Sequence, residues 1–177
     1  NGFLLDSMKM VLDFIEKDKI QMIHYPDFFE EGYKHKYDKD IYHYLDNVAR
    51  NNQYEMNRGF SHRLLRCSCV IWQFKNLDEL KAKYNEVINV LENSYDGEVN
   101  TPDVQRLKGM IREFEEELVW AYNGVLVNNV HHLHLGFYQD KGITKGPNMQ
   151  RDVMPILNQF REIQPDIISV TLDPEGS

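Results

Sequence analysis

Three histidines, His131, His132 and His134, lie inside the apolar stretch Val125–Leu135. Side chains alternate between the two faces of a β-strand, so in a strand His132 and His134 would share one face. Two imidazoles placed in this way can supply nitrogen ligands to a zinc ion, whose tetrahedral set would be completed from elsewhere in the chain. The alternative is a pair of hydrogen-bonded, partly buried histidines, or a pair that contacts a polar ligand.

Two further groups of candidate residues follow the apolar stretches near the end of the chain. The segment Gly136–Gly142 contains Tyr138 and Asp140, and a sugar-binding loop would use such aromatic faces and polar groups, although an ordinary turn has the same composition. Asp173 and Glu175 follow the last apolar stretch, where a carboxylate could act as a general base or as a third zinc ligand. The alternative for both acids is the solvated start of a loop. We take Asp173 as the candidate catalytic residue.

The order of elements in residues 106–177 would position these candidates. A helix, a strand at about 125–135, a loop, a second helix and a strand at about 166–172 follow one another. This order predicts a parallel pair of strands joined by a helix. In open parallel sheets, binding sites form beyond the carboxyl ends of the strands, which is where both candidate loops lie.

Residues 1–100 are predicted to be mostly helical. Apolar residues at helical spacing predict helices that end near residues 17, 48 and 74. The signature Asn76-Leu77-Asp78-Glu79 predicts a capped helix start, Thr101-Pro102-Asp103 predicts another, and Gly124 predicts the end of that last helix. We therefore expect a helical insertion or lid over 1–100 and an α/β portion over 101–177, in a helix-dominated α/β chain.

The helix that begins near Pro102 carries many charges. Arg112 and Glu115 stand three residues apart, which makes them neighbours on the helix surface and favours an ion pair. The acidic run Glu113–Glu117 is expected to be a solvated face.

Composition disfavours several classes of protein. A net charge of −8 over 177 residues disfavours binding to nucleic acid or to anionic membranes, because both need a positive field. No apolar run reaches the length of a transmembrane helix.

Cys67 and Cys69 do not share a helical face, so we expect two buried, reduced thiols in a cytoplasmic protein. The first residue is not Met and the last predicted strand lies next to the end, so we expect a fragment of a longer polypeptide.

An ordered set of short motifs in residues 106–177 resembles the LmbE/PIG-L family of zinc-dependent sugar deacetylases. The matching motifs, in chain order, are Arg112-x-x-Glu115, Ala121, Gly124-Val125, Leu135-Gly136-Phe137, Asp140 and Ile163–Ile168. The closest likeness is to bacterial members that are joined to a glucosamine-6-phosphate deaminase-like domain. Two segments of the family pattern are missing, because the sequence has no His-Pro-Asp-Asp run and the family's late histidine would fall beyond Ser177.

The resemblance implies a partial Rossmann-like layer and hydrolysis of an N-acetyl group on a glucosamine derivative, in which zinc activates a water molecule and a carboxylate takes the proton. The candidate substrate-binding residues are Arg112, His134, Tyr138 and Asp140, and the candidate zinc ligands are His132 and His134.

Two functions from different classes follow. The first is part of a zinc-dependent N-acetylglucosamine-type deacetylase, an amide hydrolase of amino-sugar metabolism that would need further chain for activity. The second is a non-catalytic helical interaction or support module attached to an amino-sugar enzyme. A small amino sugar and further domains of the same polypeptide are the expected partners, and metal uptake separates the two hypotheses.

Overall fold

The computed structural model describes residues 2–17, 38–95, 98–134 and 148–170. The chain divides into two compact units, one up to Val130 and one from His131 onward. The regular structure of the described residues is helical throughout. The prediction of a helix-dominated chain is therefore confirmed.

The first unit begins with two helices at the predicted places. Helix α1 spans Gly2–Lys17 and helix α2 spans Asp38–Ala49. Apolar residues recur every three or four positions along α1, so this helix buries one continuous face. The buried apolar residues of that face are Leu4, Met8, Val11, Phe14 and Ile15.

Two longer helices, α3 at Gln53–Trp72 and α4 at Leu77–Asn93, follow. The side-chain oxygen of Asn76 accepts a hydrogen bond from the backbone N–H of Glu79 at 2.9 Å, and the Glu79 carboxylate accepts one from the N–H of Lys75. The first bond satisfies a backbone donor that the first turn of a helix leaves without a partner, and the second ties the residue before the cap to that turn. The predicted capped start of α4 is thus confirmed.

Helix α5 spans Pro102–Tyr122. Pro102 stands in its first turn as predicted, whereas Thr101 makes no side-chain capping hydrogen bond. Gly124 lies just past the end with a φ of 85°, a left-handed conformation that glycine adopts without strain. The predicted helix end is therefore confirmed, and a short 3-10 helix follows at Val127–Asn129.

Helix α3 lies at the centre of the first unit. It packs against α1, α2 and α5, while α1 also packs against α4 and α2 against α5. The most deeply buried members of the main core are Met8, Val11, Cys67, Leu80, Tyr84 and Leu107. A smaller cluster joins Ile41, Phe114 and Val127. We call this arrangement of α1–α5 the helical body.

The second unit has one described helix of its own. A π-helical turn at Met149–Val153 continues into helix α6 at Met154–Ile163. Asp152 accepts hydrogen bonds from the backbone N–H of Asn148 and from two nitrogens of Arg151. These bonds, chiefly those from Arg151, hold the pKa of Asp152 below its ordinary value.

The two predicted strands do not form in the parts that the structure describes. Residues 125–134 contain the 3-10 helix and an irregular end, and residues 166–170 are irregular as well. A strand requires a neighbouring strand to pair its backbone groups, and the described ranges contain none. His134, with a φ of 48°, also leaves the extended region. The Rossmann-like layer is therefore not confirmed.

The predicted division of the chain into a helical insertion or lid over 1–100 and an α/β portion over 101–177 remains a prediction. In the structure, α5 packs against α2 and α3 inside the first unit.

Among the described residues, no helix has both the length and the apolar character needed to cross a bilayer.

Cys67 and Cys69 are free, buried thiols in α3, as predicted. Burial raises the pKa of Cys67 to about 11, although the nearby Arg63 guanidinium opposes the rise. Burial raises the pKa of Cys69 to about 12. The ordinary value for both is 9.0, so the folded chain holds both thiols in their protonated form well above neutral pH.

We expect both thiols to react slowly with iodoacetamide at about pH 8 until the chain unfolds, because the thiolate is the nucleophile. Because folding raises the pKa of both thiols, the stabilisation that comes from keeping them protonated is complete below pH 9.0. It is lost as the pH rises through about 11 for Cys67 and about 12 for Cys69. Urea denaturation across that range should show the decline, and a Cys67→Ala, Cys69→Ala variant should show less of it. If the free energy of unfolding declined equally in the wild type and the variant, the two thiols would not be the cause of the decline.

Candidate functional site

Arg112 lies on the outer face of α5, where its side chain is 84% exposed. Its Nη1 donates a hydrogen bond to Oε2 of Glu115 at 3.2 Å. The ion pair predicted from the spacing of these residues is therefore confirmed. Because the guanidinium has further donors and faces solvent, it can bind a second acceptor while it keeps Glu115.

A cleft with a volume of about 400 Å³ lies between α1 and α5, both of which pack on α3. Its lining residues are Phe3, Leu4, Lys108, Ile111, Arg112 and Glu115. We call this the α1–α5 cleft. A volume of this size is within the range of sites that hold small metabolites.

The charges of the α1–α5 cleft come from α5 alone. Lys108 and Arg112 stand four residues apart and so lie on the same side of the helix, with Glu115 next to Arg112. The lining thus carries one more positive than negative charge. Partial burial lowers the pKa of Lys108, because desolvation disfavours the ammonium ion. An anion in the cleft would oppose that effect.

His132 and His134 lie in the second unit with their ring centroids 6.4 Å apart. Two imidazoles on one tetrahedral zinc ion, with Zn–N bonds of about 2.0–2.1 Å, would have centroids roughly 5 Å apart. No group of three His, Cys, Asp or Glu side chains within the described ranges could hold a metal ion. The described part of the chain therefore does not complete a zinc ligand set.

Three of the predicted site residues, Tyr138, Asp140 and Asp173, lie outside the described residues, as does Glu175. Of the others, the structure brings His132 and His134 together in the second unit and places Arg112 in the first. The joint site that the sequence suggested remains a prediction.

The structure also contains a buried ion pair that the sequence pattern did not predict. Nη2 of Arg63 donates to Oε2 of Glu117 at 3.0 Å, and the two side chains are 1% and 0% exposed. The expectation of a solvated face over Glu113–Glu117 is therefore wrong for Glu117. The burial of Glu117 could have been predicted from its spacing, because Glu117 follows the buried Met110 by two helical turns and the buried Phe114 by one.

Two arginines of α3 make further contacts of this kind. The guanidinium carbon of Arg63 lies 4.9 Å from the ring centroid of Phe114, which is a cation–π distance. One turn further along α3, Arg66 Nε lies 3.0 Å from Asp40 Oδ2, with both side chains largely buried. These charged contacts connect α3 to α5 and to α2.

Comparison with known proteins gives one curated relative, a glucosamine-6-phosphate deaminase-like protein of Bacteroides thetaiotaomicron. The two sequences are 35% identical over 109 residues, which is 59% of this chain and 16% of the relative. The chain thus spans less than a fifth of the length of that relative. No protein-family model matches the chain, and no solved structure matches it at a significant level. The relative's name agrees with the predicted likeness to deaminase-like proteins, whereas no family match supports the deacetylase part of that resemblance.

Proposed function

We propose that the chain is a non-catalytic helical module that supports an amino-sugar enzyme, with further domains of one polypeptide as its partners. The observation that carries the proposal is the helical body itself, in which α1–α5 surround a core built from their own side chains. The similarity to the Bacteroides protein provides the class of enzyme, since that protein is named for its likeness to a glucosamine-6-phosphate deaminase.

The polar interior of the helical body fits a structural role. A buried ion pair adds little net stability compared with apolar residues, but a wrong helix arrangement would leave its charges without partners. Arg63 with Glu117, and Arg66 with Asp40, therefore favour a single arrangement of α2, α3 and α5. A support module needs such a fixed shape, because its surfaces must keep their positions relative to the domains that it holds.

A zinc-dependent deacetylase portion is the second candidate. His132 and His134 lie next to each other, although their rings would have to approach from 6.4 Å to bind one zinc ion. In that case the two histidines would bind zinc, Asp173 or Glu175 would complete the set, and the Rossmann-like layer would form around them. Zinc would polarise the acetyl carbonyl and activate water. His134→Ala would then greatly weaken ligand binding, whereas a structural histidine would affect only the free energy of unfolding.

Zinc content separates the two candidates. We expect the purified chain, after exposure to zinc and desalting, to retain far less than one zinc per chain, because its described residues offer only two adjacent nitrogen ligands. Elemental analysis of the wild type and of a His132→Ala, His134→Ala variant measures this directly.

His43→Ala is the matched control, because His43 lies in α2 of the other unit and pairs with Glu55. About one zinc per chain that is retained in His43→Ala and lost in the double variant would overturn the support role in favour of the deacetylase.

A further inference from the structure

The α1–α5 cleft has the opposite charge to the protein as a whole. The chain has a net charge of −8, yet the cleft brings Lys108 and Arg112 to one wall with a single carboxylate, Glu115. A negatively charged small molecule would thus be attracted to the cleft while most of the surface repels it. An arginine beside a lysine is well suited to phosphate, because the guanidinium can donate two parallel hydrogen bonds.

The rest of the cleft lining is apolar. It consists of Phe3 and Leu4 of α1, together with Ile111 of α5. Phe3 is 59% exposed, and its ring is held edge-on against Phe60 with the centroids 5.7 Å apart. A fixed and exposed aromatic ring beside charged groups can pack against the C–H face of a sugar ring.

We propose that the α1–α5 cleft binds an amino-sugar phosphate, a deduction that rests on the proposed support of an amino-sugar enzyme. The phosphate binds Arg112 and Lys108, the ammonium group binds Glu115, and the sugar ring packs on Phe3. The charges match, because a phosphate dianion with one ammonium group carries a net charge opposite to that of the lining. A cleft of about 400 Å³ has room for one such molecule.

Each charged residue makes a different contribution to recognition. Arg112 and Lys108 give affinity for any phosphate ester, and the partial burial of Lys108 strengthens its attraction to an anion. Glu115 gives selectivity, because its carboxylate attracts an amine but repels a ligand that carries only phosphate. The cleft should thus prefer an amino-sugar phosphate both to the neutral-sugar phosphate and to the free amino sugar.

Isothermal titration calorimetry of the folded chain with four probes tests whether the α1–α5 cleft binds an amino-sugar phosphate. The probes are glucosamine-6-phosphate, glucose-6-phosphate, glucosamine and inorganic phosphate. Glucosamine-6-phosphate should bind at least about tenfold more tightly than each of the others, which corresponds to about 1.4 kcal/mol. Arg112→Ala should weaken its binding by about tenfold or more, since the bidentate phosphate contact is lost. Glu115→Gln should bring the affinities for glucosamine-6-phosphate and glucose-6-phosphate close together.

Arg106→Ala is the matched control, because Arg106 is an exposed arginine of the same helix outside the cleft lining. Equal losses in Arg106→Ala and Arg112→Ala would overturn the proposal, since they would indicate general attraction of phosphate to α5. No binding of glucosamine-6-phosphate, or equal binding of all four probes, would overturn it as well. These outcomes leave the support role intact, because that role is tested by zinc content and by product release.

Discussion

Replacement of Glu117 with alanine is expected to lower the free energy of unfolding by about 3–5 kcal/mol, because it leaves the Arg63 charge buried without its carboxylate. Arg63 is only 1% exposed and cannot turn to water without opening the contact between α3 and α5. Domains of this kind are stable by about 5–15 kcal/mol, so the loss is a large part of the total.

Urea denaturation followed by circular dichroism measures this loss. An Arg63→Met, Glu117→Leu double variant should recover most of it, because apolar residues of similar size can replace a buried ion pair at little cost. Asp46→Ala is the control, since the pair of Asp46 with Arg50 is more than half exposed on both sides and should contribute little. A loss in Glu117→Ala no larger than that in Asp46→Ala would show that the pair is not buried in solution.

Phe114→Ala is expected to lower the free energy of unfolding by about 3–5 kcal/mol, because it removes a large buried side chain and leaves a cavity. Phe114 is fully buried, and its ring centroid lies 6.1 Å from that of Tyr44 and 5.9 Å from that of Phe60. The substitution also removes the aromatic face beside the Arg63 guanidinium. Phe114→Leu should lose less, because it retains most of the apolar volume.

Thermal and urea unfolding of the two Phe114 variants give the measurement, with Tyr122→Ala as the control. Tyr122 is also an aromatic residue of α5, but it is 76% exposed.

The losses of unfolding free energy in Phe114→Ala and Glu117→Ala should not add fully in a combined variant, because both residues contact Arg63. Full additivity would indicate that the two contacts are independent and would contradict a shared cluster.

Local patterns were sufficient to predict most helices of the described chain. The stripe of apolar residues in α1, the Asn76 cap and Gly124 each act within a few residues, so neighbouring sequence determines them. The strands were a different case, because a strand forms only with a partner that local sequence does not provide. The stretch Val125–Leu135 is apolar enough for a strand, yet Val127 is buried against Ile41 and Phe114 from a 3-10 helix.

In the candidate site as well, contacts within one helix could be predicted from the sequence, whereas contacts between helices could not. The ion pair of Arg112 with Glu115 follows from their spacing, because both residues belong to one helix. The α1–α5 cleft could not be predicted, since it depends on how α1 and α5 pack on α3. The pair of Arg63 with Glu117 likewise joins residues 54 positions apart in sequence.

Product release from amino-sugar substrates is the most direct test of whether the chain itself is catalytic, which the proposed support role denies. The chain would be incubated with zinc and either N-acetylglucosamine-6-phosphate or glucosamine-6-phosphate, and acetate or ammonia release would be measured. The support role predicts no release above that of a heat-denatured sample, from a chain whose circular dichroism shows intact helices. Release in proportion to chain concentration that is lost in His134→Ala would contradict the account and identify the chain as catalytic.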